Sequence, residues 1–276
     1  MPEDSSRSVL RFERVTLRFD ETPVLEDVSF EIRKGETRVV LGAAGSGKTT
    51  LLKTALGLYK PDSGRVYVFG QDVTGLEENA LFDIRAGMGM LFQEGGLFDS
   101  LTIEENVGYP LLNQRIRQHP SSEVRHRVEE ALRFVELEHT LEKFPSELSG
   151  GMRRRVGIAR AVVTEPPLLL YDSPTAGLDP ITAYTIMALI VKQRDLRKAT
   201  TVIVTQRYQD GMWLSNFRYN SNSACLEPIS MNGNSTASGT RFMVFREGRL
   251  VFEGTQAELN ASSDPYIAKF VRKKLN

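Results

Sequence analysis

One stretch of the sequence decides the fold: Gly42-Ala43-Ala44-Gly45-Ser46-Gly47-Lys48-Thr49. It fits the pattern G-x-x-x-x-G-K-[ST] and stands between the apolar run Val39-Val40-Leu41 and a helical segment that begins at Thr50. This order predicts a loop whose amides, with the helix N-terminus, bind the phosphates of a nucleoside triphosphate. Lys48 then reaches the β- and γ-phosphates, and Thr49 offers its hydroxyl to Mg²⁺. The alternative, a glycine-rich turn without a ligand, does not explain why Lys and Thr follow at the required offsets.

The composition of the chain argues against several classes of function. The chain has 276 residues, enough for one large α/β domain. Lys and Arg total 35, as do Asp and Glu, so the formal net charge of zero disfavours nucleic acid as a partner. Cys225 is the single cysteine and cannot form an internal disulfide, and together with three histidines it gives no metal-ligand spacing. No apolar run approaches the about 20 residues that span a bilayer. We therefore expect any membrane role to come through a partner.

The order of patterns predicts a single domain over residues 1–276. Alternating apolar residues between 9 and 32 predict a hairpin with its turn at Glu21-Thr22-Pro23. The runs at 168–171 and 201–204, separated by a helix, predict parallel strands. Three further segments are expected, namely a helical subdomain at 95–165, a surface insertion at 211–241 and a C-terminal helical tail at 255–276.

Two later motifs complete a constellation. Leu148-Ser149-Gly150-Gly151-Met152 opens a helix with Ser149 as N-cap, and its amides and hydroxyl suit an anion. The run Leu168-Leu169-Leu170-Tyr171-Asp172 ends a buried strand on a carboxylate, and Thr175-Ala176-Gly177-Leu178-Asp179-Pro180 follows. Together with the glycine loop and Gln93, this order resembles the ATP-binding-cassette (ABC) ATPases over essentially the whole chain.

The resemblance implies an α/β fold of the P-loop NTPase class, with a RecA-like core, an N-terminal antiparallel β part and an inserted helical subdomain. It implies ATP and Mg²⁺ as ligands, with Thr49, Gln93 and Asp172 at the metal. The residues implied for nucleotide binding are Phe19, Gly42, Ala43, Ala44, Gly45, Ser46, Gly47, Lys48, Thr49, Thr50, Ser149, Gly150, Gly151, Asp172 and Asp179. For Phe19, edge or core packing of the aromatic ring is an equal alternative to stacking on adenine.

A closer resemblance lies at 91–111 and 145–152. These stretches, with Asp264-Pro265-Tyr266, are similar to the ATPase subunits of Mla-type phospholipid transporters. The resemblance implies a transmembrane permease, a second ATPase subunit in a homodimer or heterodimer, and a peripheral place on the cytoplasmic face of the membrane. Four apolar residues are candidates to line the groove for the permease, or alternatively to fill the core of the subdomain, namely Leu97, Phe98, Leu101 and Ile103.

Two catalytic positions depart from the family pattern. Ser173 stands where the family usually has the glutamate that activates water, and its hydroxyl cannot act as a carboxylate base near neutral pH. Gln206 stands where the family usually has a histidine that contacts the γ-phosphate, and an amide cannot carry a proton. Since general-base help is worth about 10²- to 10⁴-fold, we expect nucleotide binding to persist and turnover to be slow.

Three explanations for these departures stay open: a degenerate subunit paired with an intact partner, a slowly hydrolysing homodimer, and a nucleotide-gated clamp. A rival from another class is a soluble ABC protein that acts as a clamp in translation or repair. Such proteins usually carry two cassettes or a long coiled coil, and the sequence shows one cassette and no heptad run.

Overall fold

The computed structural model describes residues 7–93, 95–113, 120–229 and 239–272. Its strands are β1 Ser8–Phe19, β2 Thr22–Arg33, β3 Thr37–Gly42, β4 Ser63–Val68, β5 Gln71–Asp72, β6 Met88–Leu91, β7 Leu168–Asp172, β8 Thr200–Thr205, β9 Phe217–Asn220, β10 Cys225–Pro228, β11 Thr240–Arg246 and β12 Arg249–Gly254. Its α-helices are α1 Lys48–Ala55, α2 Glu78–Arg85, α3 Ile103–Leu112, α4 Ser121–Phe134, α5 Gly150–Val162, α6 Pro180–Arg197, α7 Tyr208–Asn216, α8 Gln256–Ala261 and α9 Pro265–Arg272. From β6 onwards most parallel strands are separated by helices, the order that produces a sheet covered by helices.

A six-stranded sheet forms the centre, in the order β12-β11-β3-β8-β7-β6. Neighbours from β11 to β6 run parallel, and β12 joins β11 antiparallel at the edge. Every residue of β3, β7 and β8 is buried, as expected for strands with both faces covered. This confirms the parallel core that the sequence predicts. The carboxyl ends of the three strands place Gly42, Asp172 and Thr205 at one edge.

A second sheet, in the order β2-β1-β4-β5, supplies the antiparallel part. Its apolar face packs with α1 and with one face of the central sheet in a shared core. The hairpin turn is shorter than predicted, because Phe19 already pairs with Thr22. Only Asp20 and Glu21 connect the strands, with φ of 46° and 66°. Positive φ at both positions matches the twist of a two-residue hairpin, so Thr22 and Pro23 belong to β2.

Helices α3, α4 and the start of α5 form the helical subdomain. Thr102 accepts a hydrogen bond from the amide of Glu105 and closes a capping box that starts α3. Asn106 is completely buried and bonds backbone atoms of the loop at 98–102, which ties that loop to α3. Part of the expected subdomain, 114–119, lies outside the described residues.

The expected surface insertion at 211–241 begins later and ends earlier than predicted, because its last two residues already belong to β11. Residues 211–216 are the end of α7, and Leu214 is fully buried. The surface part is the β9–β10 hairpin, and Arg194 anchors its start by donating to the carbonyl of Phe217 at 2.8 Å. Apolar spacing in a helix, rather than the following Asn- and Ser-rich composition, decides the fold of 211–216. Residues 230–238 lie outside the described part of the chain.

The C-terminal segment returns to the central sheet. Thr255 caps α8 with Glu258 in a second capping box. In α9, Ile267 is buried, and Tyr266, Phe270 and Val271 pack against the same core as β3 and β11. The tail at 255–276 is thus helical in its described part, and 273–276 lie beyond it. Within the described residues no helix is both long and apolar enough to cross a bilayer.

Candidate functional site

The glycine loop turns tightly between β3 and α1. Gly47 occupies the N-cap of α1 with φ of 97°, which a residue with a side chain rarely adopts. A Cβ added there would lie 2.5 Å from the carbonyl oxygen of Val24 in β2. At Gly42 an added Cβ would lie 2.7 Å from the carbonyl oxygen of Phe245 in β11. The two glycines are therefore required by the close approach of neighbouring backbone, and the loop is held in one shape before a ligand arrives.

Lys48 is the buried cation of the site. Its Nζ donates to the carbonyl of Ala43 at 2.7 Å and to Oγ of Ser46 at 3.1 Å, so the side chain folds back over its own loop. Burial lowers the pKa of Lys48 to about 8, and the nearby carboxylate of Asp172 acts in the opposite direction. A positive charge that is only partly compensated in this way attracts a phosphate.

Asp172 lies at the carboxyl end of β7 and is buried. Ser173 Oγ donates to Asp172 Oδ1 at 3.0 Å, so its hydroxyl is directed at the carboxylate. The backbone of Ser173 has φ of 48° and is fixed by bonds from its amide to Val204 O and from Arg154 Nη1 to its own carbonyl. The structure thus places no carboxylate at position 173 and presents a serine in a rigid left-handed turn.

The metal donors predicted from the sequence are all oxygen atoms. Thr49 and Thr50 are half-buried in the first turn of α1, beside the loop, and Gln93 is exposed after β6. An Asp carboxylate with hydroxyl and amide oxygens is the donor set that suits Mg²⁺, which keeps water and phosphate oxygens as its other ligands. Among the described residues, His, Cys, Asp and Glu form no cluster of three or more that could hold a metal ion by itself. The donors therefore fit a metal that arrives with a nucleotide.

Ser149 caps α5 as predicted. Its Oγ accepts from the amide of Met152 at 3.2 Å, and Ser149 and Gly150 are exposed. Nothing lies within 4 Å of a Cβ added at Gly150, whereas one at Gly151 would meet the side chain of Thr182 in α6. The start of α5 is therefore open to solvent on one side and packed against α6 on the other.

Asp179 caps the next helix, α6. It accepts from the amides of Ile181 and Thr182, both at 3.0 Å, and from the Thr182 hydroxyl at 2.6 Å. The hydroxyl of Thr182, followed by its amide, lowers the pKa of this exposed carboxyl. Ile181 beside it is 80% exposed, which is unusual for a large apolar side chain. The beginnings of α5 and α6 thus share one surface, joined through Thr182.

Phe19 is the last residue of β1 in the antiparallel sheet. Its ring is 42% exposed and meets the ring of Tyr59 edge-on, with centroids 5.1 Å apart. The ring of Phe19 is therefore not buried in the core. It packs against Tyr59 on one side, and its exposed part could contact a ligand.

Gln206 follows β8 and is exposed. The turn behind it contains a buried acid that the sequence analysis missed, Asp210 in the first turn of α7. The hydroxyls of Thr175 and Thr205 donate to its carboxylate at 2.8 Å and 2.6 Å. Burial raises the pKa of Asp210, while these hydroxyls act against the rise. Asp210 links the loop after Asp172 to the loop that carries Gln206, although its place in the sequence gives no signal of burial.

A groove of about 610 Å³ is lined in part by Phe92, the residue before Gln93. Phe92, Phe98 and Tyr109 contribute exposed rings to it, and Phe98 and Tyr109 are 4.8 Å apart. Of the four predicted groove residues, Ile103 is fully buried in the first turn of α3 and belongs to the core rather than to the groove. Leu97 and Leu101 are half-buried, and Leu97 packs on that core.

The sequence matches one protein-family model. The model of the ABC transporter family matches residues 25–176, which include the glycine loop and Asp172 but end before Gln206. The "Probable ribonucleotide transport ATP-binding protein mkl" of Mycobacterium leprae is 35% identical over 257 residues, covering 93% of this chain and 67% of that one. The chain therefore spans about two thirds of the length of such mycobacterial relatives.

Two further relatives differ in their named cargo. The "Methionine import ATP-binding protein MetN" of Carboxydothermus hydrogenoformans is 41% identical over 181 residues, covering 66% of this chain and 53% of that one. The "Intermembrane phospholipid transport system ATP-binding protein MlaF" of Haemophilus influenzae is 28% identical over 270 residues, covering 97% of this chain and 91% of that one.

Among solved structures, a dimer of the ATP-binding cassette MJ0796 in a post-hydrolysis state with ADP and Pi superposes with a TM-score of 0.75 and 30% identity. The superposition covers 90% of this chain and 98% of that one. The likeness thus extends over most of both chains.

Proposed function

Because the chain belongs to the ABC transporter family, we propose that it is the nucleotide-binding subunit of a membrane transporter, which binds ATP with Mg²⁺ and drives a permease. The observation that carries the proposal is the position of Lys48: its ammonium is buried in a rigid phosphate loop, within electrostatic reach of Asp172. Burial disfavours the charged form of a lysine, and the negative charge of a bound phosphate favours that form again.

Binding follows from the chain's own groups. Lys48 turns its Nζ from the carbonyl of Ala43 towards the β- and γ-phosphates, and the phosphate charge favours its protonated form. The loop amides and the positive end of α1 hold the remaining phosphate oxygens. Mg²⁺, when bound, neutralises phosphate charge, and Thr49, Asp172 and Gln93 are the residues that would hold it. Phe19 offers its exposed ring to the base.

The proposal includes a second ATPase subunit that faces this chain. Ser149 and Gly150 stand exposed at the start of α5, where helix amides have no partner within the helix. They would complete the γ-phosphate site of a facing chain, while Asp179 and Ile181 line the contact. The dimeric assembly of the similar MJ0796 cassette supports this arrangement.

Hydrolysis at the chain's own site is proposed to be weak. Ser173 directs its hydroxyl at Asp172 and cannot take a proton from water near neutral pH, and Gln206 carries no titratable group. A general base is worth about 10²- to 10⁴-fold in rate, which sets the scale of the loss. The residues proposed to bind the nucleotide do not include Ser173 or Gln206, so the proposal retains ATP-driven closure of the dimer.

The groove at Phe92, Phe98 and Tyr109 is the proposed docking site of the permease. Aromatic rings around an apolar groove are typical of interface cores, and Phe92 in this groove directly precedes Gln93, the residue proposed to contact Mg²⁺. Closure of the dimer would thereby move the permease. The proposal puts the chain at the cytoplasmic face of a membrane, held there by the permease.

Phospholipid or a related lipid is the proposed cargo. The phospholipid-transport relative matches 97% of this chain and 91% of its own length, so the two proteins correspond along nearly all of both chains. The methionine-import relative is more identical but corresponds over 66% of this chain and 53% of its own length. Correspondence of the whole chain, including the segment after β12, supports the lipid proposal.

The test is purification of a tagged chain from native membranes in mild detergent. We expect a polytopic permease to copurify, together with either one or two kinds of ATPase subunit. Recovery of the chain with soluble partners and without an integral-membrane protein would contradict the transporter proposal and favour the soluble clamp.

The same complex separates a degenerate subunit from a slow homodimer. If an intact second ATPase is present, Ser149→Ala in this chain should abolish hydrolysis by the partner, whereas Lys48→Ala should leave much of it. In a homodimer, both variants should abolish the residual hydrolysis.

A further inference from the structure

Helix α9 reaches the glycine loop through one hydroxyl. The amide of Ala43 donates to Tyr266 Oη at 3.0 Å, and Tyr266 Oη in turn donates to the carbonyl of Phe245 at 2.9 Å. Ala43 and Tyr266 are 223 positions apart in the sequence. The tyrosine therefore ties the start of the loop to the end of strand β11.

The residue it ties down is the one that holds Lys48. The carbonyl of Ala43 accepts from Lys48 Nζ at 2.7 Å and from the amide of Ser46 at 3.2 Å. The amide of Ala43 is thus hydrogen-bonded to Tyr266, whereas its carbonyl is hydrogen-bonded to Lys48 and Ser46 within the loop. A rotation of Ala43 would move the acceptor of the ammonium, so the orientation of this residue controls how readily Lys48 turns towards a phosphate.

The far end of the loop is supported in another way. The amide of Gly248, in the turn between β11 and β12, donates to the carbonyl of Ser46 at 3.3 Å, and Gly47 lies against Val24. Backbone groups therefore brace that end. Among the described residues, Tyr266 is the side chain from outside the loop that hydrogen-bonds its backbone at the start.

The ring of Tyr266 is fixed as well. It meets the ring of Phe270 edge-on with centroids 5.2 Å apart, and the guanidinium of Arg246 lies 5.6 Å from its centroid. The amide of Tyr266 donates to Asp264 Oδ1 at 2.6 Å, which holds the first turn of α9. Since Ile267 in the same helix is buried, the hydroxyl is presented by a docked helix with little freedom.

We propose that Tyr266 is a positioning residue for nucleotide binding: docked α9 sets the orientation of Ala43 and thereby tunes the affinity of the loop for ATP. The inference rests on the proposed function of the loop. It adds a control element, since anything that shifts α9 changes nucleotide affinity without touching the nucleotide.

The test compares two tyrosine-to-phenylalanine variants of the full chain. Tyr266→Phe keeps the ring and removes the hydroxyl. Tyr208→Phe is the matched control, because the Tyr208 hydroxyl joins α7 to α8 through Asn260 and Gln256 and does not touch the loop. The readouts are the Kd of Mg-ATP from calorimetry and the melting temperature without nucleotide.

We expect Tyr266→Phe to raise the Kd about threefold to tenfold, the range of a hydrogen bond of ordinary net strength, and Tyr208→Phe to leave it within about twofold. Both variants should melt within a few degrees of the wild type. Unchanged affinity in Tyr266→Phe, while the wild type binds ATP, would overturn this inference alone. Absence of binding by the wild type would overturn the proposed function with it.

Discussion

The hydroxyl of Ser173 donates a 3.0 Å hydrogen bond to the carboxylate of Asp172, the residue that ends β7. The side chain at position 173 is thus directed at the proposed metal ligand, and it offers a hydroxyl where a base is needed. Replacement by a longer carboxylate should therefore restore a missing function rather than remove one.

We expect the double variant Ser173→Glu, Gln206→His to hydrolyse ATP at least about 100-fold faster than the wild type, within the range of general-base catalysis. Steady-state kcat measures it. Ser173→Gln with Gln206→His is the control, because it has the same size without a base and should stay slow. A wild-type rate equal to that of the Glu, His variant would show that the native site is not degenerate.

Lys48 should dominate nucleotide affinity. Lys48→Ala removes a buried charged donor, and hydrogen bonds to charged groups are worth about 1.5–3 kcal/mol, so the Kd of Mg-ATP should rise about 10- to 100-fold or more. Lys60→Ala is the control, since Lys60 is exposed and pairs with Glu77 outside the loop. Similar Kd values for both variants, measured by calorimetry, would contradict the assigned role.

The lowered pKa of Lys48 predicts a pH dependence of stability. Between about 8, its folded value, and 10.5, its ordinary value, the unfolded chain binds a proton at this position that the folded chain has lost. The free energy of unfolding should therefore rise with pH across this window, relative to Lys48→Met. Urea titrations of both proteins without nucleotide measure the difference. A difference that stays constant from pH 8 to 10.5 would contradict the buried ammonium.

The carboxylate of Asp210 should depend on its two hydroxyl donors. Thr205→Val removes the 2.6 Å donor and should destabilise the fold by about 1–3 kcal/mol, since the buried carboxylate loses a partner. Thr185→Val is the control, because that exposed hydroxyl bonds its own helix, and it should stay within about 0.5 kcal/mol. Equal stability of the two variants in urea would argue against the role of the network.

The groove should bind the permease through apolar contact. Phe98→Asp places a charge in it and should release the permease from the detergent-extracted complex, while the Kd of Mg-ATP stays unchanged because Phe98 lies outside the loop. Leu196→Asp, at an equally exposed position on α6 away from the groove, should keep the complex. Retention of the permease by Phe98→Asp would place the docking site elsewhere.

The sequence predicts those parts whose geometry is local. The loop at Gly42 to Thr49 needs glycines and a lysine at fixed spacing, and the N-cap at Ser149 acts within three residues, so both patterns carry their own structure. The contact of Tyr266 with Ala43 joins positions 223 apart, and no local pattern encodes it. The sequence pattern around Asp210 predicts a surface carboxylate. Its burial is not predicted, because it depends on Thr175 and Thr205 from other segments. Where contacts between distant segments determine the burial or the partner of a residue, local sequence patterns do not predict it.

The sheet order has a consequence for biosynthesis. Strand β3, which carries the glycine loop, lies between β8 and β11, so its neighbours leave the ribosome long after it does. At about 5–20 residues per second, the roughly 200 residues between β3 and β11 take about 10–40 s to translate. Until β8 and then β11 have been made, β3 lacks its two neighbours in the sheet, although all of its residues are buried in the folded protein. We therefore expect the glycine loop to reach its final shape only near the end of synthesis, and unpaired strands of this kind are what chaperones generally protect.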